Sequence, residues 1–381
     1  MIAASVSDYR TLARMRLPRF LFEYIDGGSY DEVTLRRNRS DLEAVALRQR
    51  VLCNVATLDT STTLFGERYS LPLGLAPVGI AGLNARRGEI QAVRAAERCG
   101  VPFCLSTVSA CSLEEVAQYA TRPFWFQLYM IRDRAFMTEL MTRAWQAGCR
   151  TMLFTVDMPL PGSRYRDVRS GLANAPGPRG SLRRALQAVS RPGWFWDVVA
   201  RGRPLTLGNI APLLGRKSGL EDFFAWMRAN FDPSVTWAEL EWVRARWRGT
   251  LVVKGVLDAQ DAREAINLGA DGLVISNHGG RQLDGTPSTA RALPAIADAV
   301  GGKTTLIVDG GIRSGLDVAR MKALGADSTL IGRPWVFALA ARGEQGVAHV
   351  LSLMNAELQV ALALTGHVRA ADLSRSALAD L

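Results

Sequence analysis

DAQDAREAINLGADGLVISNHGG, residues 258–280, contains a complete structural unit. An Asp cap opens a stretch with helical spacing, LGAD closes it, and GLVISN follows as a short, continuously apolar run. The unit recurs at 314–333, SGLDVARMKALGADSTLIGR, with Ser as the cap and the same LGAD ending. Two such copies point to a fold assembled from repeated helix-to-strand units.

Working outward, eight apolar runs follow one another: LGLAPV (73–78), FCLS (103–106), FWFQLY (124–129), MLFTVD (152–157), LVVKG (251–255), GLVISN (272–277), TLIVDGG (305–311) and STLIGR (328–333). They do not alternate, as expected for parallel strands buried on both faces. Eight strands with crossover helices make a (β/α)8 TIM barrel, an α/β fold, the expected architecture; a doubly wound open sheet is the alternative. The whole chain, 1–381, then reads as one barrel domain. Residues 1–72 form an N-terminal extension, with a helical segment through YIDGG (24–28) and a hairpin STTLFGERYSLP turning at Gly66-Glu67 that caps the barrel bottom while Tyr24 reaches elsewhere. Nearly a hundred residues separate the fourth and fifth strands, too many for a crossover, so a long insertion, about 170–230, follows strand 4.

The net charge of +10 is concentrated in that insertion. Arg179, Arg183, Arg184, Arg191, Arg201, Arg203, Arg216 and Lys217 face only Asp197 between residues 170 and 217. Such a patch attracts phosphate or anionic lipid. The five cysteines, Cys53, Cys99, Cys104, Cys111 and Cys149, lack any C-x-x-C spacing and read as reduced core residues, which speaks against a disulfide scaffold or a metal site. The N-terminus has no secretory pattern, and no uninterrupted apolar stretch of membrane-spanning length occurs.

In a barrel the chemistry lies at the carboxyl ends of the strands. DGGIRSG (309–315) and IGR (331–333) follow strands 7 and 8, where many barrels bind phosphate through glycine N–H groups and arginine. Gly310, Gly311, Arg313, Gly332 and Arg333 would form that cradle; turn glycines and surface arginines are the bland reading. SNHGGRQLDG (276–285) places His278 and Arg281 three residues apart on a glycine-loosened loop. An imidazole can accept a proton near neutral pH, and a guanidinium can hold a carboxylate by two points. Asp157 at the end of strand 4 can orient the ring and stabilise its charged form. Tyr24, Tyr129 and Arg164 are weaker candidates for the same mouth. His349 and His367 lie away from any strand end and receive no chemical role.

YIDGG, APVGIAG (76–82), FTVDMPLPGSRYRD (154–167), SNHGGRQLDG and DGGIRSGLDV (309–318), spread over the whole chain, resemble the FMN-dependent 2-hydroxy acid oxidase and dehydrogenase family, within it most nearly the membrane-associated, lactate-oxidising bacterial branch. The resemblance implies FMN phosphate on the two glycine loops, Asp309 on the ribityl chain, and the flavin ring near Ala76-Pro77-Val78, Ser106, Gln127, Thr155, Lys254 and Ser276. It also implies a substrate carboxylate held by Arg281 with Arg164 and Tyr24. Tyr129 and His278 then address the hydroxyl-bearing carbon, with Asp157 behind the histidine. Independently of the family, Lys254 ends LVVK, where a buried cation either stabilises a reduced, anionic flavin or forms an ion pair lining the barrel.

The expected activity is oxidation of L-lactate to pyruvate, with electrons passed to membrane quinone. The expected assembly is a homotetramer, in peripheral contact with anionic lipid on the cytoplasmic face of the inner membrane. Mandelate and glycolate are the alternative substrates, because Ala81 is small and Val108 stands where the family's oxidases often carry tryptophan. Within the insertion, WFW (194–196) among arginines, with RRALQAV just upstream, has the composition of an interfacial anchor. A solvated flap over the site is its alternative. An inosinate-type dehydrogenase would need a cysteine after a late strand, which the chain lacks. A basic, non-catalytic nucleic-acid or membrane adaptor would leave the His278–Arg281 loop unexplained, so no nucleic-acid partner is expected.

Overall fold

The computed structural model describes all residues except 174–176, 203–206, 215–219 and 380–381. Among the described residues the strands are β1 (Thr62–Leu64), β2 (Glu67–Tyr69), β3 (Leu73–Leu75), β4 (Cys104–Ser106), β5 (Trp125–Tyr129), β6 (Thr151–Thr155), β7 (Thr250–Val256), β8 (Gly272–Ile275), β9 (Thr305–Val308) and β10 (Ser328–Ile331). β3 to β10 form one parallel sheet in the order β3-β10-β9-β8-β7-β6-β5-β4. A parallel bridge between Leu75 and Phe103, with Leu75 N–H donating to Pro102 O at 2.8 Å, joins its two ends. The eight apolar runs are thus the eight staves of a (β/α)8 barrel.

The repeated LGAD has a mechanical reason. Gly269 and Gly325 end their helices at φ +90° and +114°, a backbone that only glycine adopts without strain. The following Asp then spans two strands. The Asp271 carboxylate accepts from Leu251 N–H and that of Asp327 from Leu306 N–H, each at 2.8 Å, while the N–H groups of the two aspartates donate back to the carbonyls of the same residues. Each copy therefore sets the register of the incoming strand on its neighbour. Cys104, Trp125, Leu153, Val252, Val274, Ile307 and Leu330 project inward and fill the barrel interior as a separate apolar cluster. The outward faces join the large core beneath the helices.

The β1–β2 hairpin belongs to the bottom of the barrel, as expected. Its turn is Phe65-Gly66 instead of Gly66-Glu67, since Leu64 pairs with Glu67, and both turn residues have positive φ, +52° and +84°. That two-residue geometry twists with the strands. It also aims Phe65 at the barrel floor, edge-on to Trp125 at 5.9 Å. A Cβ on Gly272 would lie 2.8 Å from the Phe65 ring, so the first residue of β8 has to be small. The remainder of the extension climbs the other way: helix Arg19–Asp26 carries Tyr24 to the opposite, C-terminal mouth.

The insertion contains helices Pro178–Val189, Ala211–Leu214 and Leu220–Asn230 and a π-helical turn, Phe195–Ala200. It is stitched to the body: Gln187 accepts from Phe20 N–H at 3.0 Å, Arg16 pairs with Asp197 at 2.7 Å, and buried Asn209 donates to Ser106 O and Ser109 Oγ while accepting from Leu113 N–H. Arg203, Arg216 and Lys217 of the basic segment lie outside the described residues. Helix Arg333–Leu364 is long and apolar enough to cross a membrane, but it is broken at Arg342–Gly343, and residues such as Trp335, Phe337, Leu351 and Leu362 are buried in the core. Three cysteines are buried, but Cys53 is exposed and Cys99 half-buried, so the core reading fails for those two. His349 Nδ1 meets Tyr9 Oη at 2.7 Å, a structural contact.

Candidate active site

At the C-terminal mouth a cavity of about 130 Å³ opens to solvent. Its wall includes Tyr24, Ala76, Pro77, Val78, Gln127, Tyr129, Thr155, Arg164, Lys254, His278, Arg281, Asp309, Gly310, Gly311, Arg313, Gly332 and Arg333, all named from the sequence. Three others stand one layer back. Ser106 Oγ donates to Gln127 Oε1 at 3.1 Å, Ser276 Oγ accepts from Lys254 Nζ at 2.9 Å, and Asp157 Oδ1 meets His278 Nδ1 at 2.9 Å. Ser106 and Ser276 thus brace lining residues instead of lining the cavity.

The surroundings of His278 suit a proton acceptor. With Nδ1 engaged by Asp157, Nε2 is the ring nitrogen left for chemistry. Burial pushes the imidazole below its ordinary pKa although Asp157 pulls it back up, so it is neutral at pH 7. Burial works against the Asp157 carboxylate too, but His278 and Lys254 outweigh it and hold its pKa below the usual value. Tyr129, driven upward by burial and then by Asp157, stays protonated and is a hydrogen-bond donor.

Four arginines crowd the same mouth: Arg164 pairs with Asp167 at 3.6 Å, whereas Arg281, Arg313 and Arg333 make no ion pair among the described residues. Burial, then the neighbouring Arg164, draws Arg281 down to about 10; burial, then Arg39, does the same to Arg313; burial with Arg281 and Arg313 pushes Arg333 further down. A guanidinium keeps its proton regardless, so these depressions register unmet demand for negative charge. Part of the donor capacity is spent on the C-terminal carbonyls of helix Arg19–Asp26. Arg281 donates to Tyr24 O and Gly27 O at 2.6 and 2.9 Å, and Arg333 to Ile25 O and Gly27 O at 2.9 and 2.8 Å. Arg281 and Arg164 both sit over the Tyr24 ring, at 4.9 and 5.6 Å. Arg333 also opens the last helix, whose N-terminus at Gly332 adds backbone donors.

Several buried polar atoms lack a protein partner: Gln127 Nε2, Thr155 Oγ1, Arg164 Nε and Asp309 Oδ1. In a folded protein such atoms are normally satisfied, so a cluster of them around one cavity marks a ligand. Lys254, 3.3 Å from Asp309, keeps its charge because Asp309 and Asp157 outweigh burial. Donors at Gln127, Thr155 and Lys254, an acceptor at Asp309, and glycine loops at φ +91° and +86° suit a polar ring, a polyol and a phosphate in sequence.

The sequence reading missed Ile25, Gly79, Met158 and Met227. Val108 lines the cavity as expected, but Ala81 is fully buried away from it. The small residue at this point is Gly79, where a Cβ would lie 2.8 Å from Val108 Cγ2 and 3.8 Å from the Tyr24 hydroxyl. Met227 comes from helix Leu220–Asn230 of the insertion, and just after that helix Phe231 bridges to Ile131 and lays its ring on Tyr129 at 4.9 Å. Trp194 departs from the anchor reading: it is buried, donates to Leu83 O at 2.7 Å and meets Phe20 edge-on. The exposed apolar residues are instead Leu182, Leu186, Val189 and Trp196, with Phe195 at the margin.

Anion cradles on the last two strand loops, a neutral histidine braced by a carboxylate and a string of orphaned donors between them suit a flavin-nucleotide oxidoreductase. The chain belongs to the FMN-dependent dehydrogenase family, whose model matches residues 13–380. It is 58% identical to an L-lactate dehydrogenase of Caulobacter vibrioides over 380 residues, covering 100% of this chain and 98% of that protein. It is 58% identical to an L-lactate dehydrogenase of Stenotrophomonas maltophilia, with both chains fully covered. Among solved structures it is similar to a monotopic membrane protein, (S)-mandelate dehydrogenase, at 34% identity and a TM-score of 0.94 with both chains fully covered. A mandelate oxidase follows at 38% identity and 0.82, covering 97% and 96%.

Proposed function

We propose that this protein oxidises L-lactate to pyruvate with FMN as its resident cofactor. The observation that carries the reading is the His278–Asp157 hydrogen bond beside Arg281, a buried guanidinium with no ion-pair partner among the described residues, and Arg164. A base and a carboxylate clamp at one mouth are what a 2-hydroxy acid needs. Relatives of 58% identity that are named for L-lactate support the choice of substrate.

Gly310, Gly311, Arg313, Gly332 and Arg333 would hold the phosphate of FMN, Asp309 its ribityl chain, and Ala76 to Val78, Gln127, Thr155 and Lys254 its ring, with Ser106 and Ser276 behind them. Bound FMN supplies a two-electron acceptor. Arg281 and Arg164, with Tyr24, anchor the substrate carboxylate. Tyr129 donates to the substrate oxygen, His278 Nε2 accepts a proton, and Asp157 stabilises the resulting imidazolium. In this reading residues 1–72 and about 170–230 are an extension and an insertion of a single catalytic barrel.

The test is anaerobic mixing of the FMN-loaded protein with L-lactate, glycolate and (S)-mandelate. Fastest bleaching of the flavin by L-lactate is expected. No bleaching by L-lactate overturns the reading. Mandelate is the second reading, favoured by the similar mandelate enzymes and by Val108, a modest side chain in the cavity wall.

The insertion is proposed to rest on anionic lipid at the cytoplasmic face of the inner membrane. Leu182, Leu186 and Val189 are exposed at helical spacing on helix Pro178–Val189, with Arg179 and Arg183 beside Leu182 and Leu186, and Trp196 is exposed in the turn further on. Apolar residues flanked by arginines at helical spacing are what an interfacial helix presents. Membrane quinone as electron acceptor and a homotetrameric assembly complete the proposal, tested by quinone reduction in vesicles and by the mass of the detergent-solubilised protein.

A further inference from the structure

His278 has φ +55°, and Gly279 and Gly280 continue at +63° and +72°. Glycine adopts that backbone freely, whereas an L side chain does so against strain, so something has to hold His278 there. Ser276 Oγ accepts from His278 N–H at 3.0 Å, which fixes one end of the turn. The other end is fixed by Asn277, whose backbone carbonyl accepts from Gly280 N–H at 3.0 Å and whose Oδ1 shares the same N–H at 3.1 Å.

Asn277 is in turn locked by Asn38, on helix Val33–Glu43 of the extension. The two buried amides bond reciprocally: Asn38 Nδ2 donates to Asn277 Oδ1 at 2.8 Å, and Asn277 Nδ2 donates to Asn38 Oδ1 at 2.7 Å and to Pro287 O at 3.2 Å. Because Asn277 Nδ2 has to face the Pro287 carbonyl, which can only accept, its amide cannot flip, its Oδ1 is left toward Gly280 N–H, and Asn38 has to present its nitrogen. The pair also lies beneath the phosphate loop. A Cβ on Gly311 would fall 1.9 Å from Asn38 O, and one on Gly310 would sit 3.4 Å from both Asn277 Oδ1 and Asn38 Nδ2.

We propose that the Asn38–Asn277 amide pair is the positioning element of the site: it holds His278 in its left-handed conformation and seats the Gly310–Gly311 loop against the same support. Neither residue lines the cavity, so both act through others. The proposal gives the N-terminal extension a part in the chemistry beyond covering the barrel. It rests on His278 being the base.

The test compares Asn38→Ala, Asn38→Asp, Asn277→Ala and the double alanine variant, each loaded with FMN, in single-turnover flavin reduction by L-lactate. Misplacing a base by a fraction of an ångström slows the limiting reduction rate by about ten- to hundredfold. Saturation by lactate, set by the arginines, should move by less than threefold. The double variant should be no slower than the slower single one, because the two residues act as one unit. Asn38→Asp keeps the shape but sets an oxygen against Asn277 Oδ1, and it too should be slow; FMN content and melting temperature are read for every variant, so that only folded, loaded molecules enter the comparison. A merely structural pair would lower the melting temperature and the loaded fraction while loaded molecules kept the normal limiting rate, and that result overturns the proposal. Losses that multiply in the double variant overturn it as well. His278→Gln run in parallel separates the two readings. If that variant is slow and the asparagine variants are normal, only the amide pair's role fails; if it is normal, the base assignment itself fails.

Discussion

Replacing Leu182, Leu186 and Trp196 together by serine should release the protein from membranes without touching the chemistry. These side chains are 60%, 64% and 63% exposed, and Val189, at 65%, extends the same face. Full burial of a large apolar side chain is worth about 2 kcal/mol. Two-thirds of that over three residues gives about 4 kcal/mol for complete immersion and about half as much for a helix lying at headgroup depth. Since about 1.4 kcal/mol is one decade, the vesicle partition coefficient should fall by roughly one and a half to three decades. The arginines contribute on the order of 1 kcal/mol each near an anionic surface, but that part is screened by salt. Sedimentation with anionic vesicles at low and high salt separates the two contributions: the parent should retain a salt-resistant fraction and the triple variant should not. Flavin reduction by lactate serves as the control. Deleting residues 177–215 would be a poorer experiment, because it also removes buried Trp194 and Asn209, which hold Leu83 and the loop after β4. Unchanged salt-resistant binding by the triple variant would refute the anchor and leave the exposed stripe without a membrane role.

His278→Gln should retain FMN and slow its reduction by roughly 10²–10⁴-fold, and stopped-flow spectroscopy should show the acid limb of the rate profile disappear with it. In the parent that limb lies below the ordinary imidazole value of about 6.5, because burial lowers the His278 pKa: activity persists to mildly acidic pH and falls as the ring protonates. Arg281→Lys keeps a charge but loses the fork, so both lactate affinity and reduction rate should drop by on the order of tenfold or more in steady-state assays. Asp26, paired with Arg10 and Arg166, is held at about 2 against its own burial, and an ordinary Asp titrates near about 3.9. A depressed carboxyl stabilises the fold above its unfolded value and loses that contribution as pH falls toward 2. Asp26→Asn should therefore remove about 2 kcal/mol at pH 7 and flatten the stability curve between roughly pH 4 and 2, read by denaturant unfolding.

The barrel was legible because its instructions are local. LGAD carries a helix stop, a turn and a cross-strand carboxylate within four residues, and a motif that complete means the same thing wherever it recurs. The hairpin was legible to one residue, since Phe65-Gly66 and Gly66-Glu67 both contain the glycine. The choice was made by Phe65, whose ring seals the floor against Trp125 and Gly272, and neither partner is near it in sequence. Trp194 failed for the same reason. An aromatic among arginines has the composition of an anchor, and only Leu83 and Phe20, delivered by distant segments, turn it inward.

In the site, the residues that the structure brings to the mouth or directly behind it, as the sequence leads one to expect, are those that follow the end of a strand: His278, Arg281, Asp157, Lys254 and the two glycine loops. A strand end fixes which side chains enter the mouth, so residue type and position suffice there. What stayed hidden came from elsewhere. Met227 arrives from the insertion, and Gly79 in place of Ala81 is decided by how the loop after β3 lies against Val108. The carbonyls that both Arg281 and Arg333 grip belong to the helix carrying Tyr24. That last contact changes how the arginines are read. A sequence can show that four positive charges meet at one mouth, but not that helix Arg19–Asp26 answers two of them only in part. The remainder is the demand that a phosphate and a carboxylate would meet.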